Sequence, residues 1–75
     1  MKNMSESINL LDVVALTEDI PQKNLLRGQV GTVVETLGPG IYEVEFSDDN
    51  GRTFAMASVR ESQLIVLRYR PARTA

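Results

Sequence analysis

The stretch RGQVGTVVETLGPGIYEVEFSDDNGRTFAMA, Arg27–Ala57, decides the fold. Its front end holds two glycines three residues apart, Gly28 and Gly31. They open either a phosphate-binding loop or a strand. A P-loop needs G-x-x-x-x-G-K-[ST] leading into a helix, and a dinucleotide fingerprint needs three glycines ahead of one. Here no lysine follows, and the next residues are Val30, Thr32, Val33, Val34 and Thr36. β-Branched side chains of this kind favour the pleated, half-buried surface of a sheet. Gly28 and Gly31 therefore read as bends at the entry to a strand.

Hairpin signals follow at once. Gly38-Pro39-Gly40 is a tight turn. In IYEVEF, Tyr42, Val44 and Phe46 alternate with Glu43 and Glu45, as in a strand buried on one face. SDDNGR contains Asn50-Gly51, a strong short-range turn pair. TFAMASV is the next strand, with Ala55 and Ala57 on one face. RESQ (Arg60–Gln63) has room for a single 3₁₀ turn, and LIVL (Leu64–Leu67) reads as the last strand.

Upstream, Val13–Leu16 is a short β-branched run that reads as the first strand, with a helix as the alternative because Ile8, Leu10, Leu11 and Val14 also fit a helical spacing. TEDIPQKNLLRG is a loop that folds back on the core through Ile20, Leu25 and Leu26. The expected core is Tyr42, Val44, Phe46, Phe54, Met56, Val59, Leu64 and Val66, with Tyr42 and Phe54 kept as the two exceptions that could instead form a contact surface. The plan is all-β: a small five-stranded SH3-like barrel with one short 3₁₀ turn before the last strand. An OB-fold competes, but it places a helix where only the six residues 47–52 are available. The domain spans 10–67, between a loose leader (1–9) and a basic tail (68–75).

Composition narrows function by subtraction. The 75 residues allow one domain with a marginal core. There is no histidine and no cysteine, which removes the commonest metal ligands and the usual neutral-pH proton shuttle. The serines and threonines have no imidazole to activate them, so the chain reads as not an enzyme, with no cofactor and no metal. Asp48, Asp49 and Asn50 are consecutive, whereas a calcium loop spaces its oxygens and ends in a glutamate. No stretch approaches the roughly 20 apolar residues of a membrane helix, and the N-terminus has no signal-peptide pattern. The expected location is the cytoplasm.

Charge is unevenly placed. Residues 1–67 carry five basic groups against ten acidic ones, whereas 68–75 carry Arg68, Arg70 and Arg73 and no acid. An acidic body repels polyphosphate, which argues against nucleic acid. The glycine spacing is similar to the KOW element of some RNA-associated barrels, but that element is flanked by basic residues and here Arg27 is answered by Glu35. The leading expectation is a non-catalytic protein-binding module, an accessory subunit or neutralising partner of another bacterial protein. A nucleic-acid-binding KOW-type barrel is the alternative. Homo-oligomers through strand edges are also open. Candidate contact residues are Arg27, Tyr42, Arg52, Phe54 and Arg60, with the loop Pro21–Arg27, since interfaces favour aromatic residues and arginine.

One resemblance covers nearly the whole ordered chain. The words LLDVVALTEDIP, L-x-R-G-Q-V-G-T-V-V-E, YEVEFSD-x-x-G-R-T-x-A and a terminal L-x-x-L appear in order from Leu10 to Leu67. In these the chain resembles a small bacterial family catalogued as domain of unknown function 4926. The resemblance implies an SH3-like β-barrel and implies no activity.

Overall fold

The β-branched and alternating segments of the sequence become strands, joined in chain order by one long loop, two tight turns and one 3₁₀ turn. The computed structural model describes residues 7–71. Residues 1–6 of the expected leader and 72–75 of the expected tail lie outside the described residues. Five strands form: β1 (Val13–Leu16), β2 (Val30–Gly38), β3 (Ile41–Ser47), β4 (Thr53–Arg60) and β5 (Leu64–Val66). All pairings are antiparallel, in the order β4-β3-β2-β1-β5. Closure of this sheet into a barrel is not detected. Among the described residues β4 pairs only with β3, and β5 only with β1.

A single 3₁₀ turn was expected, and two are present, at Pro21–Lys23 and Glu61–Gln63. The extra one lies inside the long loop. Proline suits a first helical position because its fixed φ is already helical and its missing N–H would have had no partner. The turn ends at Asn24 in the left-handed region (φ 59°), whose N–H donates to Pro21 O at 3.1 Å. Ile20 and Leu25 then bridge to each other across it. This closes the loop back on the sheet: Leu25 is fully buried and Ile20 packs against the core. Leu26, expected to do the same, points to solvent.

β2 is the strand on which the sheet turns. Its first residues pair with β1, from Ala15↔Val30 to Val13↔Thr32, Val33 exchanges backbone hydrogen bonds with Leu11 and Asp12 just ahead of β1, and from Glu35 on it pairs with β3. The β2–β3 register shifts between Val33 and Glu35 and again between Thr36 and Gly38. Each shift leaves one extra residue on β2, which bends and twists the strand. The second 3₁₀ turn joins distant parts of the sheet. Glu61 N–H donates to Gly40 O in the β2–β3 turn at 2.9 Å, and Thr17 N–H, just past β1, donates to Gln63 O at 2.9 Å.

Gly28 is a bend, with φ +92°. Gly31 is not, and its backbone is unexceptional. A Cβ there would lie 2.7 Å from Val44 Cγ1, 2.8 Å from Glu45 O and 2.9 Å from Phe46 Cδ1. The residue is small because the Phe46 ring of β3 packs directly on its backbone. Around that contact sit Val14, Leu16, Val33, Val44, Ala57 and Val59, all buried. Leu64 is buried and Val66 partly so.

Two members of the expected core are on the other face. Phe54 and Met56 are 50% and 46% exposed. Side chains alternate along a strand, so Phe54 and Met56 cannot share a face with Val59. The inward set of β4 is Ala55, Ala57 and Val59, opposite Phe46, Val44 and Tyr42. Large residues on β3 face small ones on β4, which fills the interior at constant volume. At the N-terminal side Ile8 already packs against the core, and Asn9 N–H donates to the Asp12 carboxylate at 2.8 Å.

Candidate functional site

β4 and the sheet face beside it present an open edge with exposed apolar side chains. Among the described residues β4, eight residues long, has a neighbouring strand on one side only. Glu61 N–H donates to Gly40 O, which fixes the phase of the β3–β4 ladder. Backbone groups of an antiparallel strand alternate in direction, so the N–H and C=O of Met56 and Ser58 point away from β3, along the free edge. Arg60 obeys the same phase: its N–H turns outward and donates to Gln63 Oε1 at 3.0 Å.

Side chains on the outer face follow from the register. Phe54 stands at a shift between Phe46↔Ala55 and Ser47↔Thr53, where β4 carries one extra residue. That bulge sits next to a turn held by one carboxylate. Asp48 Oδ1 accepts from Asn50 N–H at 2.9 Å and from Arg52 N–H at 3.0 Å. The consecutive acidic residues that resemble part of a calcium loop are thus, at Asp48, bonded to their own turn. Met56 lies beside Glu45, and Ser58 beside Glu43. Ser58 Oγ donates to Glu43 Oε1 at 3.4 Å, a long contact. On its other side Glu43 faces Glu35 of β2, so two like charges stand directly opposite each other.

The five sequence-derived contact residues do not form one site. Tyr42 is buried in the core and is not a surface residue. Arg52 and Phe54 are exposed neighbours at the start of β4, and Arg60 is exposed at its far end. Arg27 lies in the long loop, where its N–H donates to Asp19 Oδ1 at 2.8 Å. The loop residues Pro21–Lys23 are exposed and Leu25 is buried beneath them. Sequence reasoning missed Met56 as a surface residue, and Glu43 and Glu45 as its flank. Strand parity was the available signal, since Ala55, Ala57 and Val59 share one phase and Phe54, Met56 and Ser58 the other.

A second concavity lies along β5. It is an open groove of ≈ 710 Å³ lined by Ile8, Thr17, Glu61, Leu64, Val66 and Arg68, among others. Among the described residues no group of three or more His, Cys, Asp or Glu side chains could hold a metal ion. No helix among them is long and apolar enough to cross a membrane.

The model of one protein family, Domain of unknown function (DUF4926), matches residues 10–66, and the chain belongs to that family. No curated protein and no solved structure matches it.

Proposed function

We propose that the chain is a non-catalytic protein-binding module built as an SH3-like barrel. It serves as an accessory subunit or neutralising partner of another bacterial protein in the cytoplasm. Two features support the barrel reading. Sheet order β4-β3-β2-β1-β5 is that of a meander whose last strand returns beside the first. The link between the two outer strands is also very short. From Arg60 to Leu64 the chain takes four Cα steps, which span at most about 14 Å. In a flat sheet β4 and β5 would lie four spacings, about 19 Å, apart. These lengths favour a sheet that curls until its ends approach, in the manner of a partly open barrel.

One observation carries the binding reading: the free edge of β4, beside a face where Phe54 and Met56 are half exposed. Edge strands with exposed apolar side chains are templates for another chain. Catalysis is disfavoured by the composition, which lacks histidine and cysteine. Nucleic-acid binding asks for a continuous basic stripe. Arg27, Arg52 and Arg60 fall instead on a loop, a turn and the far end of β4, with Glu43 and Glu45 on the strand alongside.

The test is purification of the tagged full chain from its native host. A partner retained at fixed stoichiometry, which slows amide exchange along β4, is the expected result. Repeated recovery of the chain alone would overturn the proposal, as would binding to oligonucleotides that weakens steeply with salt.

A further inference from the structure

We infer that the edge of β4 accepts an extended, basic segment of the partner protein, added as a sixth strand whose lysine or arginine side chains lie over Ser58 toward Glu43 and Glu45. This deepens the protein-binding reading and rests on it.

The backbone supplies the attachment. Met56 and Ser58 direct their N–H and C=O groups outward in the same phase, two residues apart along the strand. An incoming chain can pair with both residues without disturbing the β3–β4 ladder. Arg60 closes the far end of the edge, because its N–H is already given to Gln63 Oε1. At the near end the extra residue at Phe54 interrupts the register. The usable edge is thus short, and bounded on both sides.

Side chains select the occupant. On the outer face, alternate positions of an added strand stand beside Phe54, Met56 and Ser58. Phe54 and Met56 offer apolar surface. Ser58 is the small residue of the three, and it opens a path to β3. A side chain laid across it runs toward Glu43, two strand spacings or about 9.6 Å from the added strand. Lysine and arginine suit this path, with an apolar stem over the sheet and a charged head beyond it. The need for positive charge is built into the register. Glu43 faces Glu35 directly, a like-charge pair that opposes the fold. Glu45 lies one alternation along the same strand, beside Met56. A cation above Glu43 relieves that repulsion on binding. An acidic strand in the same place would add to it. In the β4 of a second copy the outward-facing residues free to pair, Phe54, Met56 and Ser58, carry no positive charge, and Arg60, in the same phase, has its N–H already given to Gln63 Oε1.

The experiment uses the full chain and synthetic peptides of alternating lysine and valine, or of alternating glutamate and valine. Amide chemical shifts report where each binds. The lysine peptide is expected to perturb Phe54–Arg60 together with Glu43 and Glu45. It should bind at least about tenfold more tightly than the glutamate peptide at low salt and weaken as salt rises. Ser58→Pro removes an outward-facing donor at an edge where proline is tolerated, and should abolish that binding. The double variant E43Q/E45Q keeps the edge and should bind valine peptides of either charge about equally, which separates charge selection from any loss of fold.

Equal binding of both peptides by the unsubstituted chain would overturn the inference. So would perturbations confined to the β5 groove or the long loop, or a peptide-free dimer that forms through β4. If the lysine peptide fails while a native partner still copurifies, this inference falls and the protein-binding reading stands. If neither binds, both fall.

Discussion

The chain contains two phenylalanines, eight positions apart on neighbouring strands, and the protein treats them in opposite ways. Phe46 is completely buried, on the backbone of Gly31 and opposite Ala55. Phe54 is half exposed beside a free edge. Their hydrophobicity is the same, so transfer from water does not separate them. Strand phase and neighbour size do. The inward positions of β3 hold Tyr42, Val44 and Phe46, which face Val59, Ala57 and Ala55 of β4. Against Phe46 and Val44, β4 turns its two alanines inward, and Phe54 and Met56 are left on the outer face. One ring is spent on stability and the other is left available for contact.

The sharpest way to break this contrast is Phe46→Ala. Truncating a buried phenylalanine costs about 3–5 kcal/mol. A domain of this size has only about 4–11 kcal/mol in total. Urea unfolding is expected to show a stability lower by about 3–5 kcal/mol, enough to unfold the chain in water at the low end of that total. A loss below about 1 kcal/mol would mean that Phe46 does not anchor the core.

Gly31→Ala attacks the same contact from the other side. The added methyl meets two side chains and the Glu45 carbonyl at under 3 Å, and a backbone carbonyl cannot swing aside. Overpacking of this kind costs about 1–3 kcal/mol. A denaturation midpoint equal to that of the unsubstituted chain would show that Gly31 serves only as a strand entry.

Asp48→Ala tests what holds Phe54 in place. The carboxylate accepts two backbone N–H groups of the turn preceding β4, at 2.9 and 3.0 Å. Both are exposed to water, so their loss is worth about 1 kcal/mol in total. The expected signature is a small fall in the urea midpoint and faster amide exchange at Asn50 and Arg52. Unchanged exchange there would show that the turn needs no carboxylate.

These elements differ in how plainly the sequence announces them. β3 was legible because Glu43 and Glu45 interrupt its apolar residues, and alternation of polarity gives the phase outright. β4 was only half legible. TFAMASV has no charged residue, so Phe54, Met56 and Val59 all pass for core, although parity forbids it. Gly28 and Gly31 look alike in the sequence. One needs a positive φ and the other a missing Cβ, and only the position of the Phe46 ring tells them apart. The 3₁₀ turn at Pro21 was hidden by length, since three residues leave no periodicity. Of the expected contact residues, Phe54, Arg27, Arg52 and Arg60 are exposed, but their spread over three parts of the fold depends on strand pairing, which a single sequence does not encode locally.

Phe54→Ser is the mildest change and the most informative about function. The side chain is half in water and sits where the strand already departs from regular pairing. Substitutions at such sites usually stay within about 0.5 kcal/mol. The urea midpoint should therefore hold, while retention of a β4-bound partner or of the lysine–valine peptide should drop. Stability and binding would then separate at Phe54, whereas at Phe46 both are lost together. A Phe54→Ser variant that unfolds at clearly lower urea would reverse the contrast. If that loss also shrank on dilution, the ring would already be buried against a second copy of the chain, since stability shared between copies depends on their concentration.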